Sequence, residues 1–506
     1  PQKMNVKIFE RFRHACDELL KNKGELLKRL KEGMKENMEK KQDRKILAAY
    51  MAGFLILAAT LALMQPLADT PPLYPNAPDE HARLLVPWYI CQHGVIPTGF
   101  EEEVRIPAYG FSYILYNAFP YIVQGYIMRF VSIFTSSQQI LLYVGRLVNV
   151  FSGACMAWVV WLLGKRLFKE RKWGVVFSFL VTYLPESLFM HTYINTDSMC
   201  MLATAMIVYG LVSAWQDDFC IKNSMCLAAG IILCALSYYN AYGFILSSIL
   251  LFLAFYWKKS FKSMLSMGIP ICVVVLAGIS WWFIRSYLLY DGDFLGLATR
   301  TKMSEQYAIA QVNPLTMPTY QNKGYSILQM MEENHFVEGA FRSFVGVFGS
   351  MSLVGNIWMY RFYKLFFAAG GLGCILLNGK IYELAVGRKN TSRLWVGADL
   401  KKERTMGQWC FFHANMIFCI LMPTALLIYY AYTMDYQNQG RYLLPAIVPL
   451  MYYLVRGFEK LAQIKYWPKW LARLIPVLAA AFVVLSAVYM VYIVSVPVYL
   501  GYHPLL

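Results

Sequence analysis

Long apolar runs separated by short charged segments recur along the chain, at approximately 46–64, 139–163, 173–191, 197–215, 224–240, 241–257, 264–284, 357–378, 409–431, 441–455 and 474–497. A bilayer-spanning helix needs about 20 predominantly apolar residues, so the pattern predicts an all-α polytopic membrane protein with about eleven transmembrane helices. The runs are continuously apolar and do not alternate, which excludes a membrane β-barrel. Two segments exceed ordinary hairpin loops, 65–138 and 285–356; loops of that length usually carry function or structure of their own. Within the first, Pro107, Pro120, Gln124 and Arg129 interrupt an apolar stretch. That stretch, 107–134, reads as interfacial or re-entrant, because counting it as a span would invert every later loop. The second is polar and is expected to form a cap.

The expected domain plan is a basic segment at 1–45 followed by a transmembrane domain at 46–506. Residues 1–45 are hydrophilic and of mixed charge, with no secretory signal pattern, so 46–64 is expected as a retained first span; a start at Pro1 suggests a trimmed N-terminus. Phe9, Phe12, Leu19, Leu20, Leu27, Leu30 and Met34 recur at helical spacing among lysines. An amphipathic helix on an anionic membrane surface and a solvated helix both fit that pattern.

Charge orients the bundle. With eleven spans, the loops on the N-terminal side hold 35 of the 47 Lys and Arg and 15 of the 30 acids. Positive loops stay cytoplasmic, which predicts the N-terminus inside and the C-terminus and both long loops outside. The net charge of +17 is thereby accounted for by topology, and nucleic acid is not implied. The eleven cysteines form no CxxC pair and lie mostly within spans as small core residues, so no disulfide framework is expected.

Candidate chemistry gathers on the expected outer side. In "NAPDEHARLLVPWYICQHG", Asp79 and Glu80 follow a proline-rich stretch and precede a helical pattern. Asp79 as an N-cap and Glu80 as a dipole complement is one account. A carboxylate pair at the membrane boundary serving as base toward a lipid-linked substrate is the other. Asp197, in "YINTDSMCML", either caps its span or acts at the site, as ionisable groups at that depth often do. Arg146 and Arg441 lie just inside spans on the side that disfavours them, where a guanidinium fork suits phosphate and snorkelling to headgroups is the plainer account. Arg285, beside two tryptophans, reads as an interface anchor. His81, His191, His335 and His413 follow no compact metal pattern; a divalent cation, magnesium or manganese, held among Asp79, Glu80, His191 and Asp197 stays open. No Walker A loop, GxGxxG or GxSxG stretch is present, which weakens any reading based on ATP, dinucleotide or serine chemistry.

Three motifs stand in order: Pro78-Asp79-Glu80, "RSFVGVFGS" at 342–350, and "QGRYLLPAIVP" at 439–449. Together they resemble the GT-C superfamily of integral-membrane glycosyltransferases, and within it a bacterial group with a PDE first-loop motif, an "SF.G.FG" stretch and "QGRY..P..P". The resemblance implies a sugar donor on a polyprenyl phosphate and an extracytoplasmic cell-envelope glycan as acceptor, besides the surrounding membrane lipids. It implies Asp79 as the base for an inverting transfer, Glu80 as its assistant, Asp197 as a second acid, and Arg441 as the cation at the leaving phosphate. The group has a His where this chain has Arg83, and His81 follows Glu80 directly; Arg83 could then contact the donor phosphate. A transporter or flippase of lipid-linked oligosaccharide would use similar surfaces. It favours midplane binding groups and repeat halves, whereas the ionisable residues here crowd one boundary. A ligase or polymerase of lipid-linked glycan expects its dominant loop late in the chain.

Overall fold

The structure is a computed structural model that describes residues 41–67, 76–116, 118–257, 259–377, 381, 386–387 and 406–502. Most of the 1–45 segment and of the 379–408 loop lies outside the described residues. The chain divides into two compact units, Pro1–Gly53 and Phe54–Leu506. Of the first, the described part is the leading stretch of helix α1 (Lys41–Met64); all that follows concerns the second.

A helix stands at each of the eleven expected positions, and seven of them are long and apolar enough to cross a membrane, among the described residues. These seven are α1, α4 (Gln138–Leu167), α7 (Asp197–Asp217), α9 (Tyr242–Tyr256) with the 3-10 turn before it, α10 (Phe261–Leu289), α15 (Met406–Thr433) and the run from Lys469 to Gly501, comprising α17 (Lys469–Val488), a π-helical stretch and α18 (Val496–Tyr502). The protein is therefore an integral membrane protein built of helices. α10 buries only Trp282 and Ser286, and its exposed Phe261, Leu265, Ile269, Val273, Leu276 and Ile284 are the face a helix turns to hydrocarbon.

The other four runs are shorter or more polar helices, for reasons visible in the sequence. α5 (Arg171–Tyr183) stops because Pro185 pushes Leu184 to extended backbone, ψ 125°, before the short α6 (Pro185–Phe189). α8 (Ile221–Ser237) has 17 residues. α14 (Ile357–Leu376) carries Arg361 and Lys364. α16 (Ile447–Ala462) begins only after a 3-10 stretch, Gly440–Ala446, that contains Pro445. Helix α14 meets α16 backbone to backbone: a Cβ on Gly457 would stand 1.7 Å from the Gly370 carbonyl oxygen, the close approach that small residues permit in membranes.

The two long segments build one structure. The first holds α2 (Glu80–His93), two 3-10 turns and α3 (Phe119–Ser132). With 14 residues, α3 is about 21 Å long and short of the hydrocarbon thickness of about 30 Å. The second holds α11 (Leu297–Tyr307), α12 (Ile327–Glu333), α13 (Phe336–Gly346) and a hairpin of β1 (Val347–Phe348) with β2 (Leu353–Val354), antiparallel with Val347 opposite Val354. The Ile309 amide donates to the Ala108 carbonyl at 3.1 Å, Arg285 Nη2 to the Pro97 carbonyl at 2.5 Å, and the Tyr290 hydroxyl to the Thr98 carbonyl at 2.7 Å. Arg285, expected as an interface anchor, is thus a strut between the segments, while still facing the Trp282 ring at 5.1 Å.

The turn at 98–101 is closed by Glu101, whose carboxylate accepts from the Thr98 amide and hydroxyl and the Gly99 amide at 2.8–2.9 Å. Burial raises its pKa, but these donors outweigh burial and hold the group below the ordinary carboxylate range. A depressed folded pKa gives stabilisation that is present above the unfolded pKa and fades as pH falls through the folded one. Exchange of the Thr98 and Gly99 amides should therefore accelerate as pH falls below the ordinary carboxylate range, after correction for intrinsic rates. In Glu101→Gln that dependence should be absent; a wild-type profile flat to pH 2 would refute it.

Candidate active site

The residues singled out in the sequence from three distant stretches meet at one end of the bundle. Asp79 precedes α2 with φ 58°, in the left-handed region, and its side chain makes no capping hydrogen bond. Asp tolerates that conformation better than most residues, but it costs free energy that the surroundings must supply. The result is a carboxylate that caps no amide of the helix it precedes. It is 41% exposed, with Oδ2 3.6 Å from Arg441 Nη2 and 3.9 Å from Arg83 Nη2. The N-cap account of Asp79 does not hold.

Asp197 is also not a cap. The cap residue is Thr196, and the amide of Ser198 donates to Asn195 Oδ1 at 2.9 Å. Asp197 occupies the first turn of α7, buried, with Oδ2 3.5 Å from Arg83 Nη1. Arg83 thus stands between both carboxylates, 3.5 Å from the Tyr121 hydroxyl, with Nε buried and unpartnered. The loop carrying Asp197 is buried throughout from His191 to Thr196, so its main-chain groups need partners within the protein. Asn149 Nδ2 donates to the Tyr193 and Asn195 carbonyls at 2.5 and 3.2 Å, and Gln124 Nε2 donates to Asn149 Oδ1 at 3.0 Å.

Glu80 and Arg146 differ from what the sequence suggested. Both side chains are fully buried, and Arg146 grips Glu80 with two parallel bonds, Nε to Oε1 at 2.8 Å and Nη2 to Oε2 at 2.6 Å. Its Nη1 donates to the Ala62 and Gln65 carbonyls at 3.0 and 2.6 Å, and Glu80 Oε1 also accepts from the Ile194 amide at 2.9 Å. With every nitrogen of Arg146 engaged, the phosphate-ligand and snorkelling accounts both give way to a buried brace. Glu80 is held by this brace and does not face Asp79 as an assistant.

Arg441 is the opposite case. It is 2% exposed, yet among the described residues Nε and Nη1 have no hydrogen-bond partner, and Nη2 reaches the Tyr442 hydroxyl at 3.3 Å and Asp79. A buried guanidinium with two idle donors is costly unless an anion completes it. The motif glycine before it has a steric reason: a Cβ on Gly440 would stand 1.9 Å from the Ala340 carbonyl oxygen and 2.5 Å from the Phe344 nitrogen, so the 3-10 stretch lies flush on α13. The "SFVGVFGS" stretch is the end of α13 and the hairpin, whose Ser350 hydroxyl donates to the Asn76 carbonyl at 3.2 Å.

Three groups around the site escaped the sequence reading. Glu186 is buried at the start of α6 and accepts from the Val347 amide at 2.9 Å; an acid inside the apolar run "YLPESLF" was the signal, by the argument applied to Asp197. Tyr109 and Tyr113 lie in the first long segment, where burial first and then the Asp79 carboxylate push their phenols up. The proposed cation does not fit this geometry. Among the described residues no three His, Cys, Asp or Glu converge as ligands, since Glu80 is bound to Arg146, Asp197 to Arg83, and His191 Nδ1 lies 2.7 Å from the Ser198 hydroxyl.

Residues 120–283 match the family model described as dolichyl-phosphate-mannose-protein mannosyltransferase. The GT-C resemblance carried by the three motifs is therefore supported from a stretch that contains none of them. No curated protein sequence matches the chain. Among solved structures, ArnT from Cupriavidus metallidurans, bound to undecaprenyl phosphate, is similar at 12% identity and TM-score 0.47, over 90% of this chain and 74% of that one. The Archaeoglobus fulgidus oligosaccharyltransferase, in complex with zinc and sulfate, is similar at 15% identity and TM-score 0.43 over 89% of this chain. This chain spans 53% of that protein's length.

Removing one partner of a buried ion pair strands the other and costs about 3–5 kcal/mol. Glu80→Ala should therefore lower unfolding stability in detergent by that order; thermal stability unchanged from the wild type would refute the brace.

Proposed function

We propose that the protein is a GT-C-type glycosyltransferase that moves a sugar from a polyprenyl-phosphate donor to an extracytoplasmic glycan acceptor with inversion at the anomeric carbon. The observation that carries this reading is the pairing of a buried, half-idle Arg441 guanidinium with the exposed Asp79 carboxylate 3.6 Å away. The two groups the reaction needs, a cation for a departing phosphate and a base for an attacking hydroxyl, stand side by side. The charge asymmetry of the loops supports a cytoplasmic N-terminus and a site on the opposite face.

In the proposed reaction the Asp79 carboxylate takes the proton of an acceptor hydroxyl as its oxygen bonds to the anomeric carbon. The bond from that carbon to the phosphate oxygen breaks, and its electron pair leaves with the polyprenyl phosphate. Phosphate is a good leaving group and needs no proton; it benefits from the idle Nε and Nη1 of Arg441, which are oriented before charge develops. Arg83 holds Asp79 and Asp197 in one constellation, and its buried Nε offers a further donor to phosphate. Asp197 balances the charge of Arg83 and is a positioning residue here. Glu80 and Arg146 fix the start of α2 and hence Asp79.

Asp79→Asn keeps the size of the side chain and removes the base. In sugar transfer from labelled polyprenyl-phosphate sugars it should lose turnover by about 100-fold or more while donor binding stays within a few-fold. Unchanged turnover would refute the assignment. Arg441→Gln should weaken binding of undecaprenyl phosphate by about 10- to 100-fold, the worth of a hydrogen bond to a charged group. Tight lipid binding by this variant, with no sugar transferred by the wild type from any donor, would favour a transporter.

A further inference from the structure

A strip of aromatic rings leads away from the Asp79 site and ends on a cation that no part of the proposed chemistry uses. The Arg83 guanidinium lies 5.5 Å from the Tyr113 ring centre, Tyr113 lies 6.1 Å from Tyr116, and Arg300 lies 5.2 Å from Tyr116 and 5.0 Å from Phe111. Phe111 meets Tyr113 and Tyr116 edge-on at 5.7 Å. The strip is rigid, because the loop that carries it is closed by the Ile106 amide on the Phe111 carbonyl at 2.9 Å and by the Ser112 and Tyr113 turns. Arg300 projects from α11, which lies flush on the same loop: a Cβ on Gly296 would stand 2.3 Å from the Leu115 carbonyl oxygen.

Arg300 differs from the other cations near the site. Among the described residues no carboxylate is paired with it, its Nε is buried without a partner, and the acid in the turn before α11, Asp293, accepts from the Thr299 amide and hydroxyl at 2.8 and 3.0 Å. Two rings offset part of the cost of desolvating a guanidinium, but rings accept no hydrogen bond in its plane. A stacked guanidinium keeps its N–H edge for a planar or tetrahedral oxyanion. The part-exposed rings of Tyr113 and Tyr116, backed by the buried Phe111, can offer an edge to the apolar face of a sugar ring.

We propose that the Tyr113–Tyr116 pair, backed by the buried Phe111 and ending on Arg300, is the acceptor subsite, and that the acceptor glycan bears a carboxylate or phosphate group set back from the hydroxyl that receives the sugar. The anion at Arg300 lies beyond steps of 5.5, 6.1 and 5.2 Å counted from Arg83, and the donor phosphate is assigned to Arg441, so one protein reads two anions at once. This inference rests on the glycosyltransferase reading for the role of the strip, and on the strip itself for the charge of the ligand.

The test is binding to the full chain in neutral phosphatidylcholine nanodiscs of three probes: oligogalacturonate, a glycerol-phosphate oligomer and maltodextrin, with undecaprenyl phosphate measured in parallel. The wild type should bind one of the anionic oligomers at least about tenfold tighter than maltodextrin, and Arg300→Gln should lose about that factor. Arg300→Lys should recover part of it, and undecaprenyl phosphate binding should be unchanged in both variants. Equal affinity for charged and neutral probes, or anionic preference intact in Arg300→Gln at wild-type thermal stability, overturns the proposal. So does loss of the preference when phosphatidylglycerol replaces part of the bilayer, which would make Arg300 a headgroup ligand. Failure of undecaprenyl phosphate binding in the wild type is a separate outcome that strikes the donor reading and leaves the anionic subsite to be judged on its own probes.

Discussion

An ion pair sealed inside the bundle holds the site together. Glu80 and Arg146 lie 66 positions apart in sequence, and their bonds tie the start of α2 to α4, to the carbonyls at the end of α1, and to the amide of Ile194 in the loop before α7. Two charges in that setting are stable only because each is answered almost completely. The same completeness gives the pair directional authority: a bidentate fork tolerates little rotation, so α2 can begin in only one place. Asp79 is the residue next to that fixed point. It adopts a left-handed backbone that a freely placed helix start would relax, and its carboxylate makes no cap on its own helix but stands between Arg441 and Arg83.

The three motifs become intelligible as parts of one contact. Gly440 lets the 3-10 stretch lie against α13 with no side chain between, which sets Arg441 at a depth where water cannot serve its donors. The end of α13 and its hairpin reach Asn76 through Ser350 on one side and Glu186 through Val347 on the other. A glycine, a helix end and an acidic turn separated by hundreds of residues therefore share one purpose, to hold a carboxylate and a guanidinium near each other without letting them neutralise fully. At 3.6 Å, with one of them 41% exposed, the pair is close enough to tune and loose enough to separate around a ligand.

What the sequence made legible follows from what its signals encode. Hydrophobic runs encode helices, and a helix stands at each expected position; where crossing length fell short, the causes were Pro185, Pro445 and the charges of α14, which interrupt a helix or its apolar character without erasing the run. Asp79, Asp197 and Arg441 were legible as candidates because ionisable groups at the membrane boundary are rare, and Arg83 only because it stands where the resembling group has a His. Their partners were not, since pairing is decided by the rotation of α2 and α4 about their axes, and no local pattern records it. Arg146 and Arg441 look alike in sequence, each an arginine just inside a span; one is fully engaged by Glu80 and main-chain carbonyls, and the other reaches Asp79 and Tyr442 with a single nitrogen. Glu186 shows the converse, an acid whose local signal equalled that of Asp197 but whose apolar neighbours drew it into the count of a span.

The unequal fate of the arginines is also the best guide to chemistry in this fold. A membrane protein can keep a buried cation either by giving it a carboxylate or by leaving it for a ligand to complete, and the two cases have opposite consequences for stability. Arg146 belongs to the first kind, with every nitrogen engaged. Arg441, with Nε and Nη1 idle, belongs to the second, and Arg83 stands between, shared by two acids yet with Nε idle. Leaving donors unmet weakens the fold locally, so such residues persist where binding restores what folding forgoes. On that physical ground the idle donors, more than any single acidic motif, mark the face of the site at which the proposed anionic substrate would complete the protein.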